Sequence, residues 1–174
     1  MKFKKYIITI LSIFFLVIIV LISQGNIGVS KDNTEEDARK AHRIPEEWIT
    51  AKDINDDFGA LLFYSEDLSK YTFSIYQNRP GLSLGYFFRL GGGLPGISDE
   101  ILKVTSNGQG YIFLSLNKMH VSRIEIDNGI HTKEILIENT KPFTVISSEN
   151  SDEIKFYDID EHLIPNEFII ESPL

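Results

Sequence analysis

The sequence predicts a mainly β protein: an antiparallel β-sandwich, Ig-like or related, of about 8–10 short strands, preceded by an N-terminal transmembrane helix and one or two short helices. Three observations predict it. Residues 6–30 carry no charged side chain. From Phe58 onward, short runs of β-branched and aromatic residues recur at intervals of roughly 8–12 residues, the spacing of sandwich strands. Turn pairs such as Asn107-Gly108 and Asn128-Gly129 separate several of these runs.

The N-terminal element comes first. Lys2, Lys4 and Lys5 precede the uncharged run, and Tyr6 to Ile22 is apolar apart from Thr9 and Ser12. At 1.5 Å per residue this core spans about 26 Å, and its uncharged flank carries it past the ~30 Å hydrocarbon layer. Residues 1–23 are therefore expected to form a membrane anchor or signal segment, with the lipid bilayer as partner through residues 6–23. The lysines should hold the N-terminus inside and send the rest of the chain outside. Cleavage near Gly25, after Ser23-Gln24-Gly25, is the alternative and would give a secreted protein.

Residues 24–57 read as a polar connector. Asn33-Thr34-Glu35-Glu36-Asp37 looks like a helix start, an N-cap followed by acidic residues. Pro45-Glu46-Glu47 before Trp48 looks like a second one. Asp53, Asn55, Asp56 and Asp57 supply a turn cluster before the extracytoplasmic β domain, residues 58–174. Its strands are expected at about 59–65, 71–77, 82–90, 101–106, 110–116, 121–127, 130–138, 143–147, 153–157 and 163–170.

One hairpin can be registered from the sequence. A two-residue loop at Arg79-Pro80 would pair Ile75 with Leu84, Phe73 with Tyr86 and Tyr71 with Phe88, all large and apolar. The opposite face would then present Tyr76, Phe87 and Arg89 among small residues, a patch able to seat a peptide or a sugar ring. The competing reading is internal packing, with the connector and Trp48 and Ile49 as lids. At Asn128-Gly129 a two-residue loop would set apolar residues against polar ones, so a bulge is expected there.

Composition excludes several chemistries. The chain has 17 basic and 25 acidic residues and no cysteine. Disulfide scaffolds, thiolate metal sites and thiol nucleophiles are out. Without the three N-terminal lysines, the outward part is strongly acidic and repels polyanions, so nucleic acid is not an expected partner.

Other motifs are weak in context. Gly91-Gly92-Gly93-Leu94-Pro95-Gly96 has dinucleotide-loop spacing, but no helix or βαβ unit follows, and a connection between sheets is the better reading. Asp158, Asp160 and His162 alternate and would share one side of a strand, a weak metal candidate; a polar hairpin would scatter them instead. Asp53, Asn55 and Asp57 imitate a calcium loop whose glycine and terminal glutamate are replaced by Phe58 and Tyr64. His42, His120, His131 and His162 have no accompanying serine motif, and no catalytic residue or cofactor is assigned.

These readings lead to a membrane-anchored, non-enzymatic binding module that meets a protein or glycan partner by a strand edge or an aromatic patch. An accessory subunit of a membrane complex, or a small metal-dependent hydrolase, is the alternative.

Overall fold

The computed structural model describes residues 2–23, 25–79, 84–93, 99–106, 110–148, 153–165 and 169–174. Two helices, α1 (Lys2–Ser23) and α2 (Thr34–His42), precede eleven strands: β1 (Ile49–Ile54), β2 (Phe58–Tyr64), β3 (Tyr71–Asn78), β4 (Tyr86–Gly92), β5 (Ile101–Ser106), β6 (Gly110–Ser115), β7 (Val121–Asp127), β8 (Thr132–Leu136), β9 (Phe143–Ser147), β10 (Glu153–Asp158) and β11 (Ile169–Pro173). The fold is mainly β and antiparallel. Its sheets have the orders β1-β2-β3-β4, β11-β5-β6-β9 and β10-β7-β8, with β11 parallel to β5. Among the described residues the strands form three sheets, and the Ig-like sandwich is not confirmed.

Side-chain alternation explains how the sheets pack. Phe58, Ala60, Leu62, Phe73 and Ile75 face Leu102, Val104, Ile112 and Leu114, so the first sheet meets one side of the second. Ile101 and Phe113, on the second sheet's other side, pack with Val121, Ile124, Ile126 and Phe156 of the third. Strand β2 is buried along its whole length because its remaining side chains, Leu61 and Phe63, are covered by Ala38 of α2, Ile44 and Trp48. The connector thus closes the first sheet's back face, the packing role foreseen for Trp48; Ile49 is instead exposed.

Three expectations are corrected. No second helix forms at Pro45. Arg39 Nη1 and Nη2 donate to the Pro45 and Trp48 carbonyls at 2.9 Å, fixing them as a turn from which β1 leaves. The β3–β4 register is Ile75 to Leu90 and Tyr76 to Phe88, with a bulge between Ile75 and Tyr76. The last pair of the ladder is Asn78 with Tyr86, so seven residues separate the paired positions, and Leu84 bridges Ile27 instead of pairing with Ile75. At Asn128-Gly129 the loop has four residues: Asp127 pairs with Thr132 and Ile124 meets Ile135, so no bulge is needed. The Asn128 Oδ1 accepts from the Ile130 and His131 amides and shapes the turn. Asn107-Gly108 lies outside the described residues.

Helix α1 carries apolar side chains that are largely exposed from Tyr6 to Val20 and at Ile22. Among the described residues, no helix is long and apolar enough to cross a membrane. The transmembrane helix expected at residues 6–23 is thus not found among them.

Candidate functional site

The patch expected on the β3–β4 hairpin is divided between the two faces of the sheet. The bulge turns Tyr76 inward, where it is fully buried. Its hydroxyl donates to Asp37 Oδ2 at 2.7 Å, and Phe88 packs edge-on against its ring. Burial, reinforced by the Asp37 carboxylate, pushes the Tyr76 phenol well above its usual value. Phe87 is half-buried under the Arg79 guanidinium, 4.2 Å from the ring centre. Arg89 is exposed and donates to Gln77 Oε1 at 3.0 Å. The three residues therefore do not share a face: Tyr76 tethers α2 to the sheet, while Phe87 and Arg89 remain accessible.

The Asp158-Asp160-His162 trio forms the polar hairpin rather than one side of a strand. Asp158 Oδ1 accepts from the Asp160 and His162 amides, and the Asp158 amide bonds the His162 carbonyl. The His162 amide leads the causes that lower the Asp158 carboxyl below its usual range. Asp53 and Asn55 are similarly occupied: Asp53 Oδ2 takes the Ile146 amide, and Asn55 Oδ1 takes those of Asp57 and Phe58. Among the described residues, no group of three His, Asp or Glu side chains is placed to hold a metal ion. Residues 94–96 of the glycine run lie outside the described residues; the run does link β4 and β5, which belong to different sheets.

Two features had no local sequence signal. The first is an open cleft of about 560 Å³ where the start of β1 meets the β2–β3 and β8–β9 connections. Ile49, Thr50, Ala51, Tyr64 and Leu68 line it together with Glu66 and with Lys141, whose ammonium is paired with Glu138 at 2.9 Å. Burial raises the Tyr64 phenol, against the pull of nearby Lys141. An amphipathic slot beside an edge strand can take an extended chain: backbone polar groups meet the strand, and charged side chains orient the termini. Its parts come from residues 49–51, 64–68 and 140–142, which only the fold brings together.

The second is an ionic hub on the third sheet. Arg123 reaches Glu125 at 2.9 Å and Glu134 at 3.3 Å, also pairs with Glu161, and lies 3.9 Å from the centre of the Tyr157 ring. It clamps β7, β8 and the turn after β10, and its pairing with three carboxylates consumes the charge that a ligand would use.

Comparison with known proteins returns no matching family model, no matching curated protein and no matching solved structure.

Proposed function

We propose that the chain is a membrane-tethered binding module, non-enzymatic, whose β domain lies outside the membrane and takes an extended protein or glycan segment. The observation that carries the reading is α1. It is a helix of 22 residues whose described side chains, Thr9 and Ser12 apart, are apolar and largely exposed, and Lys2, Lys4 and Lys5 stand at its start. An apolar surface of this extent is unstable in water at ~25 cal/mol per Å² and needs a covering. Lipid fits: 22 residues at 1.5 Å make about 33 Å, close to the hydrocarbon thickness, and the basic end favours the inner side. The cleft beside β1 is the place the reading assigns to the partner.

A second reading has its own observation. Ile8, Leu11, Ser12, Phe15, Leu16 and Ile19 line a shallow groove along α1, at the spacing that would receive a neighbouring helix. On that reading the chain is an accessory subunit whose anchor packs against a partner in the bilayer.

Carbonate-washed membranes test the tether. Full-length protein should stay in the pellet and its domain should be digestible only from outside. Release of intact chain into the wash overturns the reading, and a shorter form beginning near Asn26 shows the secreted alternative. Selection of peptides and oligosaccharides on the full chain in micelles tests the binding, with loss of selected ligands in Lys141→Glu expected.

A further inference from the structure

The segment after α1 does not hang free. Gly25, at φ +64°, donates its amide to the Ile22 carbonyl and ends the helix in a left-handed cap. Immediately afterwards the chain pairs with the β domain. Leu84 donates to the Asn26 carbonyl at 2.8 Å, Gly28 donates to Leu84, and Val29 and Tyr86 exchange bonds of 2.9 and 2.8 Å. The crossing is too close for side chains. A Cβ on Gly28 would collide with the Tyr86 carbonyl, and one on Gly85, itself at φ +89°, would lie 2.6 Å from the Val29 carbonyl.

This strap sets a distance. Only Asn26 separates the Gly25 cap from Ile27, two Cα-to-Cα steps or at most about 7 Å of extended chain. The headgroup layer on each side of a bilayer is roughly 5–7 Å deep, from the difference between total and hydrocarbon thickness. Ile27 and its bridge partner Leu84 are 46% and 60% exposed, large apolar side chains on a domain edge that nothing in the described chain covers. Beside them, Arg79 lies over the half-buried Phe87 ring. An aromatic ring carrying a cation is a side-chain pair suited to the headgroup level, where phosphates and acyl chains meet.

We propose that the edge formed by Ile27 and Leu84, with Phe87 and Arg79 beside it, rests in the lipid headgroup region, so that the β domain lies on the membrane instead of standing off on a stalk. This rests on the membrane tether of α1 and adds a second contact with the same bilayer. Chain length holds the edge at the surface, and the exposed apolar pair extends the apolar surface of α1 past its cap. The strap also fixes which edge faces lipid, because a one-residue tether ending in paired backbone has little freedom to swivel.

The absence of native cysteine makes the test direct. Leu84→Cys, Leu16→Cys and Ile130→Cys are each made in the full chain, labelled with an environment-sensitive fluorophore and reconstituted into phosphatidylcholine vesicles containing a minor fraction of phosphatidylglycerol. All three sites are exposed, so folding should survive labelling. The proposal expects blue-shifted emission quenched by spin-labelled lipid at residues 16 and 84, and water-like emission at residue 130. Water-like emission at residue 84 with lipid-like emission at residue 16 overturns the seated edge and leaves the tether standing. Water-like emission at residue 16 overturns both. Insertion of a ten-residue Gly-Ser linker between Gly25 and Asn26 should return residue 84 to a water-like spectrum; unchanged quenching would show that the short tether is not what holds the edge down.

Discussion

Tyr76→Phe separates a buried strut from a surface aromatic. The ring is wholly enclosed and its hydroxyl spans 2.7 Å to Asp37 Oδ2, so the change removes one hydrogen bond to a carboxylate and little else. Bonds to charged groups contribute about 1.5–3 kcal/mol. Asp37 is only partly covered and can recruit water, which places the expected loss at the lower end, about 1.5–2 kcal/mol. With a urea slope of ~2 kcal/mol per M, the midpoint should fall by about 0.75–1 M. Trp48, the single tryptophan, packs against the same cluster and reports the transition. Alkaline pH supplies a second reading. Because the folded-state phenol is raised by burial and by Asp37, its contribution is complete below about pH 10, where the unfolded tyrosine is still protonated, and then declines by ~1.4 kcal/mol per pH unit. The phenylalanine variant has no such group, so the gap between the two proteins should narrow from pH 10 to 11. A loss under about 0.5 kcal/mol at pH 7, or a gap constant through pH 11, would refute the strut.

Other expectations are measured by the same urea titration. Phe73→Ala, at a core position 1% exposed, should cost about 3–5 kcal/mol, whereas Phe88→Ala, 46% exposed, should cost about 1. Asn117→Ala should cost about 3 kcal/mol, since its buried side chain bonds the Val121 amide and the Val121 and Glu138 carbonyls. Its left-handed φ of 58° also suits Asn better than Ala. For Glu35, burial pulls the carboxyl up, but hydrogen bonds from Lys52, Thr50 and Arg39 prevail and leave it lowered. Its stabilising effect is present above the unfolded value near 4.5 and lost as pH falls through the lower folded one. Glu35→Gln should therefore be less stable at neutral pH and converge with the parent in acid.

What the sequence made legible was whatever depends on neighbours in the chain. The ranges read for β5, β7 and β9 coincide with those observed, because their dense β-branched and aromatic residues are bounded by turns. The helix expected from Asn33 does begin at Thr34, though the Asn33 side chain makes no capping bond and ends a 3-10 turn instead, and Glu35 and Arg39 hold one turn of the helix by an i,i+4 pair. Strand β1 escaped because Ile-Thr-Ala-Lys-Asp-Ile has no clean alternation and follows a helix-like Pro-Glu-Glu; its place is decided by Arg39 grasping carbonyls six and nine residues ahead. The β3–β4 register escaped for a similar reason. Local alternation fitted a tight hairpin, but the ladder ends with Asn78 opposite Tyr86, and Leu84 lies beyond it on the strap from residues 26–29. That error turned Tyr76 outward in the reading and placed Phe88 in the core. The cleft was illegible throughout, since its walls come from three distant segments.

The edges of the sheets give the binding proposal its direction. An unpaired strand edge invites addition of another chain, and folds close such edges when addition is unwanted. Several are closed here by parts of the chain that are not strands. The entrance to β4 is occupied by the strap, β9 has its Ile146 amide satisfied by the Asp53 carboxylate, and β10 is capped by the return through Leu163 and Ile164. Strand β8 carries Lys133 and Glu134 at its centre, charges of the kind that discourage further pairing. The start of β1 is different: Ile49 is exposed, and residues 49–51 line an open slot together with Glu66 and Lys141. If the seated edge holds the β4 side against lipid, β1, at the opposite side of the same four-stranded sheet, is directed away from the membrane, where an extended partner can reach it. Blocking that slot with Ala51→Trp should then abolish ligand capture while leaving the lipid contact at residue 84 unchanged; parallel loss of both would show that the two edges do not act separately.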